Sequence, residues 1–418
     1  MITFTHTADI HFGIENYGKI DPTTGIHTRL LDFDRALNFC IDYSIEKNVD
    51  LFLFCGDAYK TTNPTPTQQK LLFRSLIKLY KANIPVVIII GNHDNPASFG
   101  KAHSLDVFSS LPIDGFHVVC KPEIINLKTK NGPLQILGVP WPTRHTIAIS
   151  DKHITKSHKD IVSYMSKSIG NIITSFAKKL DPNTPSILAG HLSVSSGVFS
   201  GSEKRAIFGN DPTLLPSQLA IEPFDYVALG HLHRYQNLNK NGHPAIIYPG
   251  SVERIDFGER KEDKGFCLVN MEASDNTSKN NTTHEFIKTP TRNFIQIEVK
   301  LESYKDHTTQ IINELDKHDL SGAVIKILYH VPEKEKDKVD LQIIQQKCAP
   351  AMHIVGIIPI RKNQVRERRS DLKVSMDFAT LIGAYLDTKP DLKKRKQELI
   401  EKALILFEES KAPQKEGP

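Results

Sequence analysis

Five short motifs carry the residues of this chain whose types and spacing could do chemistry. In chain order they are Asp9-x-His11, Gly56-Asp57, Gly91-Asn92-His93-Asp94, Gly190-His191 and Gly230-His231-x-His233. Each follows an apolar run, and residues two apart on an extended segment point to the same face. Any one motif also fits a turn or a packed histidine. Five in succession, each behind an apolar run, predict one shared site.

The motifs offer more carboxylate, amide and imidazole donors than a single metal ion needs. We therefore predict a dinuclear site with Asp57 as the bridging carboxylate. In this interpretation one ion is completed by Asp9, His11 and His233, and the other by Asn92, His191 and His231. Such mixed donors favour Mn²⁺, Fe²⁺ or Zn²⁺ over Mg²⁺ or Ca²⁺. The sequence does not choose among the three.

Two ions about 3.5–4 Å apart suit a displacement at phosphorus. His93 adjoins a predicted ligand but is not needed as one. An imidazole has an unperturbed pKa of about 6.5, so His93 is suited to protonating a leaving alkoxide. A packed structural histidine is the alternative for this position. We interpret Asp94 as a partner that orients His93 or a nearby ligand.

The apolar pattern predicts the elements that position these motifs. Buried strands over 2–7, 49–55 and 84–90 alternate with amphipathic helices over 28–47 and 65–83, which indicates a mostly parallel sheet. A helix is predicted over 97–111. Strands at 116–119, 123–127 and 134–139 then suggest a second, more antiparallel sheet. A helix over 155–180, strands ending at 189 and 229, and a last strand at 265–269 complete this part. Trp141, the only tryptophan, is interpreted as a packing residue.

The remainder of the chain begins a new pattern. Residues 272–284 are polar and low in complexity, as in a surface loop or linker. Strands over 294–299, 323–331 and 352–360 alternate with helices over 304–317 and 337–348, and helices follow over 377–385 and 392–409. A basic connector over 361–369 separates the last of these strands from the last two helices. Phosphate contacts and a solvated linker are equally good interpretations of its residues Arg361, Lys362, Arg366, Arg368 and Arg369. The last helices either dock on a partner or pack on their own domain.

Composition narrows the class of protein. The 418 residues carry a formal net charge of +5, which permits a nucleic-acid partner without requiring one. Five dispersed cysteines without CxxC pairs argue against a disulfide framework and a zinc knuckle. The first residues lack the features of a signal peptide, and no apolar run approaches the ~20 residues of a membrane helix. We therefore expect a cytoplasmic protein.

The motifs and their order resemble those of the calcineurin-like metallophosphoesterases, over roughly residues 1–270. Within that family the chain is most similar to the nuclease subunits of bacterial SbcCD-type complexes, on the segments HTADIHFG, VDLFLFCGDAY, VVIIIGNHDNPAS, GSEKR and DYVALGHLHR. The resemblance implies Mn²⁺ as the cofactor and cleavage of double-stranded DNA ends and hairpins in repair and recombination. It also implies homodimerisation through the first two helices and an SbcC-type SMC-like ATPase as partner.

The same resemblance suggests an α/β fold (an α+β sandwich), in which two sheets are flanked by helices. It implies a nuclease domain over 1–285, an α/β capping domain over 286–362, and a basic connector with partner-binding helices over 363–418. The seven predicted ligands and His93 match family positions. Ile10 and Tyr59-Lys60 depart from the common pattern, which leaves exonuclease details open. The alternatives are a generic phosphoesterase acting on small esters or phosphoproteins, and a scaffold, although no ligand is missing.

Overall fold

The computed structural model describes residues 1–95, 102–109, 114–143, 157–201, 211–272, 281–333, 335–361, 377–387 and 389–411. Its strands are β1 (Ile2–Thr7), β2 (Leu51–Phe54), β3 (Val86–Ile89), β4 (Phe116–Val119), β5 (Glu123–Thr129), β6 (Gly132–Val139), β7 (Ser186–His191), β8 (Ser193–Val194), β9 (Thr213–Leu214), β10 (Tyr226–Gly230), β11 (Gln236–Asn237), β12 (Ala245–Tyr248), β13 (Gly265–Glu272), β14 (Asn281–Lys288), β15 (Phe294–Lys300), β16 (Val324–His330) and β17 (His353–Ile360).

Helices connect many of these strands and follow the last. The α-helices are α1 (Thr28–Glu46), α2 (Pro66–Lys81), α3 (Asp106–Ser109), α4 (His158–Ala177), α5 (Pro216–Leu219), α6 (His307–Leu315), α7 (Leu341–Lys347), α8 (Phe378–Asp387) and α9 (Lys396–Lys411). Two of the long helices begin at a side-chain cap: Thr65 accepts from the Gln68 amide before α2, and Ser157 accepts from the Asp160 amide before α4. Among the helices in these ranges, none combines the length and the apolar composition that crossing a bilayer requires.

Two six-stranded sheets form the larger part of the fold. The first has the order β14-β13-β1-β2-β3-β4. Strands β1 to β4 are mutually parallel, and β13 is antiparallel to both of its neighbours, β1 and β14. The second has the order β11-β12-β10-β7-β6-β5. Its four inner strands are parallel, and each edge strand is antiparallel to its neighbour. In each sheet, several parallel strands therefore have their carboxyl ends at the same edge.

The alternation of side chains along the strands explains how the layers stack. Leu53 and Val87 of the first sheet share a buried core with Ile187 and Ala228 of the second. Since successive side chains of a strand point to opposite faces, Phe52 faces the other way. That opposite face is covered by α1 and α2, and α4 covers the outer face of the second sheet. The predicted fold class, a mixed α/β fold with two sheets flanked by helices, is confirmed.

Two predictions about the sheets are wrong. β4 does not join the second sheet but pairs in parallel with β3, because it returns beside β3 and buries Val119 in the core between the sheets. The second sheet is not mainly antiparallel: α4 makes a crossover between β6 and β7, and such a connection joins parallel strands. Of its predicted strands, β5 and β6 form the antiparallel hairpin.

The linker prediction over 272–284 is wrong at its end, while residues 273–280 lie outside the described ranges. Its last residues, 281–284, begin β14, which pairs along its length with β13. An edge strand tolerates polar side chains because one side is open to water, which explains why composition pointed to a loop. The helix predicted over 97–111 appears in the described residues as α3, and most of the remaining prediction falls outside the described ranges.

The chain divides into two compact units. The first comprises Met1–Val299, Lys305–Leu328 and Lys338–Ile358; the second comprises Lys300–Tyr304, Tyr329–Asp337 and Pro359–Pro418. A three-stranded sheet has the order β15-β16-β17, and the predicted alternation of these strands with α6 and α7 is confirmed. Within the second unit, α8 and α9 pack together, and the rings of Phe378 and Phe407 stack with centroids 4.0 Å apart.

A buried charge cluster joins α1 to the start of β15 within the first unit. Asp32 of α1 is almost fully buried and accepts from Arg29 at 2.8 Å and from the Nε of Arg292 at 2.6 Å. Arg292 also donates to the carbonyl of Gly322, which precedes β16. A buried carboxylate needs such partners because leaving it uncompensated is costly. Arg35 contacts the same carboxylate, at 3.1 Å, from an exposed position.

Arg292→Ala should therefore lower the free energy of unfolding by about 3 kcal/mol, since it removes a partner from a buried carboxylate. The matched control is Arg35→Ala, which we expect to cost less than about 1 kcal/mol because Arg35 is solvent-screened. Urea unfolding followed by the fluorescence of Trp141, the only tryptophan, measures both. Equal losses in the two variants would contradict the importance given to burial.

Candidate metal centre

Unusual backbone conformations occur where the motif strands end. Asp9, His11, Asp57 and His231 have φ angles of 54°, 53°, 59° and 105°. Positive φ is uncommon for residues with a Cβ, and its cost is usually tolerated at functional sites where surrounding contacts enforce it. The four residues follow β1, β2 and β10, strands that belong to both sheets.

Backbone hydrogen bonds tie the strand ends to one another. The Asp9 amide donates to the Gly56 carbonyl at 2.9 Å, and the His11 amide donates to the Asp57 carbonyl at 3.0 Å. The connection between the sheets is made by the His231 amide, which donates to both oxygens of the Asp9 carboxylate at 3.1 and 3.0 Å. The site is thus assembled from both sheets.

Two motif glycines are required by close approach. A Cβ on Gly230 would lie 1.9 Å from the carbonyl oxygen of Cys55, which faces it from the neighbouring sheet. A Cβ on Gly91 would lie 2.1 Å from Oδ1 of Asp57. Neither distance is compatible with a side chain, so the glycines allow the two strand ends to come this close.

The first group of donors is Asp9, His11 and His233, whose ligand atoms all lie within 4.8 Å of one another. The Nε2 atoms of His11 and His233 are 3.1 Å apart, and His11 Nε2 is 3.9 Å from Asp9 Oδ1. Asp9 and His11 are buried. The three residues that the sequence assigned to one ion are therefore close together.

The second group forms around Asn92. Its Oδ1 lies 3.0 Å from His191 Nε2 and 3.1 Å from His231 Nδ1. Asp57 lies between the groups, because its Oδ2 is 3.5 Å from His11 Nε2 and 3.4 Å from His191 Nε2. All seven predicted ligands thus face one another in the two groups expected, with Asp57 in the central position.

The outer nitrogens of two histidines show how their inner nitrogens are presented. His191 Nδ1 is 2.7 Å from the Cys55 carbonyl, and His233 Nδ1 is 3.1 Å from the Glu259 carboxylate. Both partners accept, so Nδ1 carries the proton, and Nε2 offers a lone pair when the ring is neutral. His191 Nε2 lies near oxygens of Asn92 and Asp57, and His233 Nε2 lies near His11 Nε2, so each faces further electron-pair donors. A divalent cation fits such a set, because it is the missing electron-pair acceptor.

Burial and mutual interaction shift the pKa values of these groups. Burial raises the pKa of Asp9 to about 7. Burial opposes ionisation of Asp57 as well, but the neighbouring His191 and His11 hold its pKa well below the usual range. Burial lowers the pKa of His191 and the adjacent Asp57 raises it, with a result of about 9. The protonation states of these carboxylates and imidazoles therefore depend on one another.

His93 is placed beside the donors at a more exposed position. Its ring centroid is 4.9 Å from that of His11, and its amide donates to Asp57 Oδ1 at 2.9 Å. His93 Nδ1 lies 2.9 Å from the Lys60 carbonyl, which leaves Nε2 as the nitrogen available for proton exchange. Burial lowers its pKa. His93 also lies near enough to His11 and Asp57 to form a further three-donor group with them.

Asp94 contacts the backbone of a nearby predicted ligand, Asp57, rather than His93. Its Oδ2 accepts from the amides of Asp57 and Gly91 at 2.8 and 3.1 Å, and its Oδ1 accepts from those of Ala58 and Tyr59 at 3.0 and 3.3 Å. Asp94 therefore holds the backbone of the segment that carries Asp57. Burial, together with the charge of Asp57, raises the pKa of Asp94 to about 7.

Two further residues lie at the site without a predicted role in it. Trp141, interpreted as packing, has its ring centroid 4.8 Å from that of His231 and 6.0 Å from that of His191. Its place directly after β6, beside β7, is the signal that could have identified it. Glu259 follows His233 by 26 residues, and no local pattern links the two.

The predicted DNA-contact residues lie mostly outside the described ranges. Arg361 is exposed and directly follows β17, whereas Lys362, Arg366, Arg368 and Arg369 are not described. The GSEKR segment is likewise described only at Gly201. Contact between the basic connector and DNA therefore stays a prediction.

Comparison with known proteins identifies the family to which this chain belongs. The model of the family described as calcineurin-like phosphoesterase matches residues 2–235, more than half of the chain. A dimetal phosphatase from Danio rerio is 11% identical, with 67% of this chain and 98% of that chain covered at a TM-score of 0.40. The protein TT1561 of Thermus thermophilus is 12% identical, with 63% and 93% covered at a TM-score of 0.35. At these scores neither solved structure contributes to the argument that follows.

Asp94→Asn should lower the free energy of unfolding by about 2–4 kcal/mol in chelator-treated protein. An asparagine has one acceptor oxygen, so its amide group would face one pair of backbone N–H donors and leave them unsatisfied. Urea unfolding followed by Trp141 fluorescence measures the loss.

The matched control is Asp21→Asn. Asp21 Oδ1 accepts from the amides of Thr23 and Thr24 in an exposed turn, where the asparagine oxygen or water can take its place. We expect a change within about 0.5 kcal/mol, as for most surface substitutions. A similar loss in both variants would show that Asp94 is not a structural support of the site.

Proposed function

Because the chain belongs to the calcineurin-like phosphoesterase family, we propose that it is a metal-dependent phosphodiester hydrolase that cleaves DNA, the SbcD-type nuclease subunit of a complex that processes DNA ends in repair and recombination. The observation that carries the metal-dependent chemistry is the convergence of seven donor residues in two groups around Asp57. The choice of DNA as substrate rests on the resemblance of the motifs and on the parts of the chain beyond residue 285.

In this proposal each group of donors holds one divalent ion. Asp9, His11 and His233 would hold the first, Asn92, His191 and His231 would hold the second, and Asp57 would be shared by both. When bound, two such ions would supply a water of lowered pKa and would neutralise charge on the phosphoryl group. Mn²⁺ is the ion we propose, and the mixed oxygen and nitrogen donors are also suited to Fe²⁺ or Zn²⁺.

His93 acts beside the donors as the proton donor to the leaving alkoxide. The Lys60 carbonyl holds Nδ1, so the ring presents Nε2, and the partial exposure of His93 leaves it accessible to a substrate. The hydrogen bond from the His93 amide to Asp57 Oδ1 fixes the His93 backbone beside the proposed bridging carboxylate. Proton donation to a leaving group typically contributes a factor of about 10²–10⁴ to the rate.

The C-terminal parts favour a macromolecular substrate and a partner over a small ester. We propose that the basic residues 361–369 contact phosphates; neutralising them should then reduce the salt dependence of DNA affinity, and an unchanged dependence would argue against the contact.

We propose that α8 and α9, where Tyr385, Ile405 and Leu406 are exposed, dock on an SbcC-type SMC-like ATPase. Deleting residues 375–418 should abolish co-purification with it. Homodimerisation through α1 and α2 belongs to the same proposal.

The experiment that tests this function compares two substrates with Mn²⁺ present. The chain should cleave a DNA hairpin or plasmid, and His93→Ala should lower that rate by about 10²–10⁴ while the protein retains its Mn²⁺. His318→Ala, which removes an exposed histidine remote in sequence from the motifs, serves as the control and should leave the rate unchanged.

Turnover of p-nitrophenyl phosphate without DNA cleavage would overturn the nuclease proposal and favour a phosphatase acting on small esters or phosphoproteins. Full activity in His93→Ala would remove His93 from the mechanism and leave the metal centre in place.

A further inference from the structure

A buried glutamate lies behind one of the donor histidines. Glu259 is 1% exposed and ends a short 3-10 turn, Phe257–Glu259, that begins at an Asp256 cap. Its Oε1 is 3.1 Å from Nδ1 of His233. No sequence motif includes Glu259, and it is not among the ligands assigned above.

The other contacts of Glu259 hold its carboxylate in one orientation. Oε2 accepts from the Ile255 amide at 2.9 Å and pairs with Nζ of Lys264 at 2.8 Å. Lys264 is also buried, and its Nζ donates to the carbonyl oxygen of His233 at 2.8 Å. Lys264 therefore contacts the glutamate and the backbone of the histidine at once, so the three residues form a closed arrangement.

The turn that carries Glu259 is anchored from its other side as well. The ring of Phe257 lies 5.5 Å from that of Phe294 on β15, and the Lys326 ammonium of β16 lies 5.9 Å from the Phe257 ring. These contacts all lie within the first compact unit. They oppose a shift of the turn away from His233.

We propose that Glu259 is a positioning residue that fixes the His233 imidazole as an Nδ1–H tautomer with Nε2 directed at the first metal position. This inference rests on the proposed metal-dependent function. A carboxylate on the outer nitrogen of a ligand histidine sets the ring orientation and makes the inner nitrogen more basic. Without Glu259, Nδ1 would lose this acceptor, and a ring that carries its proton on Nε2 cannot bind a metal through that nitrogen.

The other histidines of the site are held differently, which makes the effect specific to one ion. His191 Nδ1 bonds to a backbone carbonyl, and the outer nitrogen of His231, Nε2, is 3.5 Å from the carboxylate of Asp211, which is more exposed than Glu259. His233 belongs to the group with Asp9 and His11. Loss of Glu259 should therefore weaken the ion at that group and spare the ion at Asn92.

The test uses the full chain with Mn²⁺ as the probe. Calorimetric titration should show that Glu259→Ala weakens one of two binding events by about 10–100-fold and leaves the other unchanged. Glu259→Gln keeps an acceptor oxygen, so we expect a smaller loss, of about threefold to tenfold. Glu314→Ala, which removes a surface carboxylate paired with Lys317, is the control and should bind both ions as the wild type does.

A second readout requires no metal. In metal-free protein, ¹⁵N spectra of the histidine rings should show His233 as the Nδ1–H tautomer in the wild type and a shift toward Nε2–H in Glu259→Ala, a change that general destabilisation does not produce. If Glu259→Ala does not fold, the titration and spectra of Glu259→Gln decide instead.

Wild-type affinities for both ions and an unchanged His233 tautomer, in Glu259→Ala or in its substitute Glu259→Gln, would overturn the positioning role. A wild-type chain that fails to bind two ions would instead overturn the proposed function, so the two failures are distinguishable.

Discussion

The arrangement of the site depends on how Asp57 is held. Its carboxylate lies within 3.5 Å of imidazoles from both donor groups, and its backbone has a positive φ that costs free energy on the order of 1 kcal/mol or more. Asp94 compensates by accepting the Asp57 amide and three others, so the segment has little freedom to relax. A central carboxylate is thus fixed before any ligand binds, which is the preorganisation that metal sites require.

Neither sheet contains the site by itself. β1, β2 and β3 lead to Asp9, His11, Asp57 and Asn92, and β7 and β10 lead to the remaining histidines. The shared core between the sheets and the bond from the His231 amide to Asp9 bring the two sets together. Binding of metal across such a junction would stabilise the packing of one sheet on the other, because ligand binding to the native state adds to folding stability. Metal binding by these donors and the packing of the two sheets are therefore energetically coupled.

The sequence was informative where a residue's position follows from its own strand. Apolar runs identified the strands, and a polar residue directly after such a run lies at the strand end, so the donors and their grouping around Asp57 could be predicted. Parallel pairing of the second sheet was missed because it depends on the α4 crossover, and β14 was missed because an edge strand can be polar. Glu259 was beyond local reasoning, since its partner His233 is distant in sequence and is reached only through the folded chain. Asp94 was expected to orient His93 or a nearby ligand, but its bond to the Asp57 amide, 37 residues away, is visible only in the fold.

The most direct measurement is the Mn²⁺ content of the full chain at saturation, after unbound metal is removed, for the wild type and for Asp57→Ala. The account predicts two ions per wild-type chain and loss of both when the bridging carboxylate is removed. One ion or none in the wild type, or two ions retained by Asp57→Ala, would contradict a dinuclear centre built around Asp57.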